Sequence, residues 1–486
     1  MQPNSRRGPQ RIAAPSRNDP FLRKFAEGIG GPMGRHAAPG MVSPGFFTVE
    51  RVLVLFTIVS ALLAVLVKTP CRAAGWGTPD QFYSACYSDW PELFRTRGIG
   101  DGVFPFLTEG ALFEYPVLLG LLAGATALVV PGEGGTALRS LQYFDVNALL
   151  ATGAWIATVI ATMRLAGRRP WDAAMVAVAP AAILSVFINW DIFAVMLATA
   201  GMLAFARNRP VAAGVLIGLG AALKLYPVLI LGAVLVLALR TLRLRPAVLT
   251  VTTAAVTWLA VNLPFLLRDY ESWRFFLTFT AERPAGYSSI WFAWNLTVER
   301  AGGTGVGPEF INLWAYLLFA LACLGIAVLA LRCGRRPRLA QLVFLIVAAF
   351  VLTNKVYSPQ FVLWLIPLVA LARPRWLDFL IWQFFEVMHW WAVWMYLAKE
   401  TSGGAAENNL DSPYYVLAVL GHVLATLYLM YRVVSDILEP DGDPVRRSGV
   451  DDPQGGPFNG APDRWALRRR RPVSLETHAA PAKEAQ

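Results

Sequence analysis

Val52-Leu53-Val54-Leu55-Phe56-Thr57-Ile58-Val59-Ser60-Ala61-Leu62-Leu63-Ala64-Val65-Leu66-Val67 carries no charge, and Lys68 and Cys71 follow it. A membrane-crossing helix needs about 20 mostly apolar residues, and this run nearly supplies them. A cleavable leader would end in small residues, whereas this run ends in Lys68, so it reads as a retained anchor. Ahead of it, residues 1–47 are rich in Pro, Gly and Arg, the composition of a basic arm without a packed core. Further apolar runs recur to residue 432.

The whole composition agrees. Apolar residues make up 56% and charged residues 15% of the chain, which excludes an ordinary soluble domain. The runs are continuous rather than alternating, which excludes a β-barrel. There is length for roughly ten or more spans. The expected fold is an all-α polytopic membrane protein, a helical bundle over residues 48–433, with disordered cytoplasmic tails at 1–47 and 434–486. The net charge of +11 does not indicate nucleic acid, because the Arg and Lys residues sit in short clusters between apolar segments, the pattern of cytoplasmic loops. In the tail, Arg468 to Arg471 lie beside Trp465 and Leu467; they read as a solvated charge run or as a contact with anionic headgroups.

Beyond the anchor lies a polar loop, Cys71 to Pro116, with Asp80, Asp89, Glu92, Asp101, Glu109 and Glu114. Its centre reads Tyr87-Ser88-Asp89-Trp90-Pro91-Glu92 and its end Phe113-Glu114-Tyr115-Pro116. A carboxylate here can accept a proton, or Asp89 can cap the helix that Trp-Pro-Glu would begin. Cys71 and Cys86 can pair if the loop is extracytoplasmic, or remain thiols. Cys323 and Cys333 read as inert. After the loop, apolar segments come in pairs whose ends carry Arg207 and Arg209, Arg240 to Arg245, Arg332 to Arg338, Arg373 and Arg375, and Arg432. With those ends on one face, the apices gather on the other: Asn189-Trp190-Asp191, Lys224-Leu225-Tyr226-Pro227, the loop from Arg268 to Glu309, Asn354-Lys355-Val356-Tyr357-Ser358-Pro359-Gln360, and Lys399 to Ser412. One count does not close. Three apolar segments precede Arg164, so either Val117 to Pro131 is re-entrant or a crossing is hidden.

Val211 to Leu239 is short for two crossings. About 13 residues per half gives some 20 Å, so Lys224 and Tyr226 are expected at membrane depth. Broken backbone there requires cover by protein or water, and an ionisable group there marks a functional site. Gly214, Gly218 and Gly220 allow a neighbouring helix to approach closely. His389, with Glu386 one turn before it, lies inside an apolar run and reads as core histidine or as a site residue. Trp291 and Trp294 read as an interfacial belt or a sugar-pocket wall.

An outer carboxylate, cations at hairpin apices and aromatic walls suit a long lipid with a phosphate headgroup. No metal-ligand spacing, phosphate-binding Gly-rich loop or nucleophile elbow is present, so the sequence indicates neither metal nor cofactor. The order of motifs is similar to that of glycosyltransferase family 87, within the GT-C class. The pieces are Asp89 with Phe104-Pro105 and Tyr115-Pro116, Asn189-Trp190-Asp191, Arg209-Pro210-Val211-Ala212-Ala213-Gly214 leading to Lys224-Leu225-Tyr226-Pro227, and Asn354 to Phe361. The resemblance spans about residues 50 to 432. One departure is Tyr115-Pro116-Val117, where the family has Tyr-Pro-Pro; it bears on the local helix start.

That resemblance implies transfer of a hexosyl unit, commonly mannosyl, from a polyprenyl-phosphate sugar to a glycan or glycolipid acceptor. It implies an extracytoplasmic site, both termini cytoplasmic, and inversion with a first-loop Asp as base. Carried onto this chain, the base is Asp89, with Asp101 as the rival. Lys224, Tyr226, Lys355 and Gln360 are expected to hold the donor phosphate, and Asp191, Asn189, Glu114, Tyr115 and His389 to orient substrates. A transporter or flippase could use the same cavity, but no internal repeat is evident and the acids lie in a loop. A non-catalytic envelope scaffold is the third class.

Overall fold

The computed structural model describes residues 19–30, 47–448 and 450–465, and all regular structure among them is helical. Helix α1, Pro20–Gly30, starts where Asp19 accepts a bond from the Phe21 amide at 2.9 Å. The other Asp19 oxygen accepts from the Trp376 amide at 2.8 Å. This part of the arm therefore has structure that the composition did not suggest; the rest of the arm lies outside the described residues.

Helix α2, Val49–Val67, is capped by Thr48 and buries Leu53, Thr57, Ser60, Ala61 and Ala64, one helical stripe. Its opposite face, with Leu55, Leu62 and Leu66, stays exposed as a lipid-facing surface. The loop beyond it contains α3, Asp89–Thr96, and α4, Val117–Ala127. Helix α5, Ala137–Leu165, returns antiparallel to α2, and Arg164 reaches Glu50 at 3.9 Å, which sets the two inner ends level.

Helix α4 settles the open count. It begins beside Tyr115, and its far end leads into Gly132 to Gly135, beneath the start of α5. There Arg139 donates to Gly100 of the same outer loop at 2.6 Å and to Pro131 at 3.1 Å. Both ends of α4 thus lie against the same loop, so α4 does not run from one end of the bundle to the other. The outer loop runs from Lys68 to Thr136, longer than the expected 71–116. Phe104 lies across α4 at Gly124, where a Cβ would fall 2.7 Å from its ring, so this glycine lets the loop lie on the helix. Cys71 and Cys86 are joined as a disulfide, which closes the loop's first turn.

The chain then rises through the short turns of residues 170–190 to α6, Asp191–Ala206, and continues through α7, Pro210–Leu223, α8, Leu229–Thr241, and α9, Leu244–Arg268. On the outer side lie α10, Tyr270–Glu282, and α11, Ile290–Arg300. Next come α12, Pro308–Arg332, α13, Leu339–Thr353, α14, Val362–Ala372, α15, Trp376–Ser402, and α16, Ser412–Leu438. Among the described residues five helices are long and apolar enough to cross a membrane: α2, α5, α9, α12 and α16. The protein is a multi-pass membrane protein.

Helices α13 and α14 are buried on almost every side, as expected of helices apolar all round. Gly214 and Gly218 of α7 face the Thr250 and Ala254 carbonyls of α9 so closely that a Cβ would sit 2.5 Å from either oxygen. This is the close approach read from the glycines. Helix α7 has 14 residues, about 21 Å at 1.5 Å per residue, which is less than the hydrocarbon thickness of about 30 Å.

The arginine-rich ends meet one segment. Arg338 pairs with Asp443 at 2.7 Å with both side chains sealed from solvent. Arg336 and Arg240 share Asp463 at 2.9 Å each, and Arg335 reaches Asp451 at 2.9 Å. Arg373 holds Asp378 at 2.6 Å and also Asp436. Residues 440–465 therefore fold against the bundle, and the expectation of a structureless tail from 434 does not hold for them. Their composition resembles that of a disordered tail, but their aspartates neutralise guanidinium groups that the helix ends bury. Arg468 to Arg471 lie outside the described residues.

Candidate active site

Asp89 opens α3, but Ser88 is the N-cap: its hydroxyl accepts from the Trp90 amide at 3.4 Å. The Asp89 carboxylate is therefore free for other partners. Its own amide donates to the Ile188 carbonyl at 2.8 Å, which pins the loop to the first apex. Tyr87 donates to one carboxylate oxygen at 2.5 Å and Tyr115 to the other at 3.3 Å. Asn189 donates to the same oxygen as Tyr115 and to the Tyr115 hydroxyl at 2.8 Å. The next residue, Trp190, is tied to Asn147 of α5 at 2.7 Å, so the apex is fixed from behind. Asn189 is sealed, whereas Asp89, Tyr87 and Tyr115 are half-buried. The Asp89 residue thus keeps some access to solvent, although its partners come from the protein.

Burial pushes the Asp89 carboxyl above its usual range, against the Tyr87 and Asn189 hydrogen bonds and the Lys224 charge, which favour the ionised form. The same burial, with Asp89 close by, raises the Tyr87 and Tyr115 phenols well above theirs. At the foot of the loop Lys68 donates to the Tyr87 carbonyl at 2.6 Å. Burial lowers its ammonium to about 7, with the Asp89 charge acting in the opposite sense.

A second group adjoins the first. Lys224 lies 4.2 Å from the centre of the Tyr115 ring and 3.4 Å from Asp191. Asp191, fully sealed, also accepts from the Trp364 indole at 2.8 Å. Tyr226 stacks on Trp364 at 4.3 Å, and Phe361 stacks on its other side at 3.9 Å. Lys224, Asp191, Asn189, Tyr115 and Asp89 therefore converge, from stretches far apart in the chain. Tyr226 forms the wall behind them, and Tyr87 and Trp394 of α15 stand 5.0 Å apart on another side.

Other expected residues stand elsewhere. Lys355 is buried, but its ammonium donates to the Ala281 carbonyl at 2.8 Å and its own carbonyl accepts from Gly286. The Arg283 charge favours the ionised Tyr115 phenol and disfavours the Lys355 ammonium. Burial and Arg283 together lower the Lys355 ammonium. Gln360 is buried at the turn before α14. Glu114 turns away to Arg97 at 2.8 Å. Asp101 is exposed and lines a separate cavity of about 460 Å³ with Arg139 and Glu133. His389 packs on His422 of α16, not on Asp89.

The sequence reading missed Tyr87, Lys68, Trp364, Arg283 and His422. Tyr87 sits two residues before Asp89, a signal that was available. The others lie on distant elements, and nothing local marks them. A cavity of about 690 Å³ next to Arg283 is lined by Phe275, Phe279, Tyr287 and Phe292, an aromatic cleft beside two buried or half-buried cations.

The family model described as glycosyltransferase family 87 matches residues 111–353, half of the chain. Among solved structures the chain is similar to the crystal structure of ArnT from Cupriavidus metallidurans bound to undecaprenyl phosphate. The identity is 16% and the TM-score 0.43, over 85% of this chain and 75% of that one. No curated protein matches the sequence.

Proposed function

The chain belongs to glycosyltransferase family 87, and from that premise we propose that it transfers a hexosyl unit, mannosyl in the first instance, from a polyprenyl-phosphate sugar to a glycan or glycolipid acceptor. The observation that carries this reading is a half-buried Asp89 held by Tyr87, Tyr115 and Asn189 beside the Lys224–Asp191 pair.

In this reading an acceptor hydroxyl enters over Asp89. Its oxygen attacks the anomeric carbon and its proton passes to the carboxylate, while the bond from that carbon to the phosphate oxygen breaks and the phosphate leaves with the electron pair. The displacement inverts the anomeric centre. A base held above the ordinary carboxylate range is better matched to a hydroxyl, and the burial of Asp89 supports that role. Cations where the negative charge leaves would stabilise the transition state; Lys224, whose charge acts on Asp89, serves there first, and Lys355 and Arg283 take part in this reading if the phosphate extends toward Ala281. Asp191 holds Lys224 in place and Asn189 orients Asp89. The aromatic cleft beside Arg283 takes the first part of the lipid tail.

The Cys71–Cys86 disulfide supports an extracytoplasmic position for this loop, and the arginine clusters at the other end support the cytoplasmic face there. The test is purified protein given radiolabelled polyprenyl-phosphate mannose with glycan or glycolipid acceptors. Product formation by the wild type, absent in Asp89→Asn, is expected; equal activity of the two removes the assignment.

A further inference from the structure

Directly behind the Asn354–Phe361 turn, three side chains with metal-ligating atoms meet: Glu386 and His389 of α15 and His422 of α16. All three are buried, and a ligand atom from each lies within 4.8 Å of the others. The two imidazoles stack at 4.0 Å. His422 Nε2 faces the Ser288 carbonyl at 3.3 Å. A carbonyl only accepts, so that nitrogen carries the hydrogen, and His422 Nδ1 is left as a lone pair. This lone pair stands 3.7 Å from Glu386 Oε1 and has no hydrogen-bond partner. His389 has no partner for either ring nitrogen, although it is fully sealed.

Glu386 in turn accepts from the Tyr357 hydroxyl at 3.2 Å, the Trp382 indole at 2.9 Å and the Thr426 hydroxyl at 3.4 Å. Three donors fix the carboxylate as an acceptor. Among the described residues no Lys or Arg pairs with it; its one ion-pair neighbour is His422. A sealed carboxylate facing an imidazole lone pair is unfavourable unless a positive charge lies between them, and two orphaned imidazole nitrogens call for the same thing.

We propose that Glu386, His389 and His422 hold one divalent transition ion of the zinc class. Two imidazoles and a carboxylate suit such ions. Metal–ligand bonds of about 2.0–2.2 Å place neighbouring ligands roughly 3–4 Å apart, so small side-chain rotations close the observed cluster onto an ion. Ser288, Trp382 and Thr426 supply the outer hydrogen bonds that orient such ligands, and the Tyr357 hydroxyl stands ready as a fourth ligand or as a further outer partner. The ion clamps α15 to α16. Through Tyr357 and Ser288 it also braces the two segments that carry Lys355 and Arg283. Its role is structural and does not depend on the transferase reading.

The test uses the untagged full-length protein in detergent. The wild type is expected to retain about one zinc per chain after desalting, or to take up added Co²⁺ with visible d–d absorption. X-ray absorption of the zinc form should show imidazole ligands. His389→Gln and His422→Gln should each lower metal content at least about tenfold. A wild-type chain that binds neither Zn²⁺ nor Co²⁺ at about 100 μM, or a bound ion without imidazole ligands, overturns the proposal. So does full metal content in both variants. The wild-type measurements decide the matter even if the variants fail to fold.

Discussion

Asn189 donates its side-chain amide to the Asp89 carboxylate, and the Ile188 carbonyl just before it accepts the Asp89 backbone amide. Two contacts therefore bind the outer loop to the apex of a hairpin 100 residues later. This link turns a loop acid into a positioned one, because the carboxylate inherits the rigidity of the helices beneath.

Asp89→Asn keeps the size of the side chain but turns one accepting oxygen into a donor and removes the basic oxygen. Sugar transfer is expected to fall about 10²–10⁴-fold, with the purified protein eluting as the wild type does. Asp101→Asn, at an exposed position in a separate cavity, is expected to leave the rate within about twofold of wild type, since positioned acid–base groups act only within hydrogen-bond reach. Radiolabel transfer in detergent measures both.

The pH profile reports the Asp89 carboxyl. The base works ionised, and burial raises its pKa, so activity should fall on acidification at a pH above the ordinary carboxylate range. Tyr87→Phe removes a hydrogen bond that favours the ionised form. The pKa then rises further and the acid limb moves to higher pH. A limb that stays in place or moves down in Tyr87→Phe would mean that another group sets it.

Lys224→Met leaves Asp191 sealed without its cation. Breaking a buried pair from one side costs about 3–5 kcal/mol, so thermal unfolding in detergent should come earlier. Lys224→Met with Asp191→Asn should recover much of that stability, because no uncompensated charge remains, but not the activity. Differential scanning fluorimetry beside the transfer assay separates the two effects.

Truncation after Glu439 strips Asp443, Asp451 and Asp463 from Arg338, Arg335, Arg336 and Arg240. The sealed Arg338 suffers most, and Asp443→Ala alone should cost about 3–5 kcal/mol. Removal of the Cys71–Cys86 bond by paired serine substitution should cost about 2–4 kcal/mol. Each is read as a lowered unfolding midpoint; an unchanged midpoint after the truncation or in Asp443→Ala would show that the C-terminal segment is only loosely attached.

Much of the site was legible because the chemistry of an apex is local. Lys224-Leu225-Tyr226-Pro227 announces a broken helix, and Asn189-Trp190-Asp191 announces polar groups between apolar runs. Their meeting with Asp89 follows from the pairing of segments. Lys355 was grouped with them on the same grounds, yet its ammonium binds Ala281, because the segment after α10 comes within its reach. His389 was read beside Glu386 as a core histidine or a substrate-orienting residue, and its stacking on His422 escaped because His422 lies on the next helix. The tail misled because composition measures the absence of a core but not a match to buried charges.

By itself the sequence determined that the chain is a bundle of membrane helices with its arginines at one end and its broken, polar apices at the other. Run length and charge placement are read directly against the thickness of a bilayer. Only the tertiary structure decided that α4 stays against the outer loop, that Asp89 rather than Asp101 meets the apices, and that residues 440–465 close over the arginines. Each of these depends on which distant groups come within a few ångströms, and hydrogen bonds and ion pairs act only over that range.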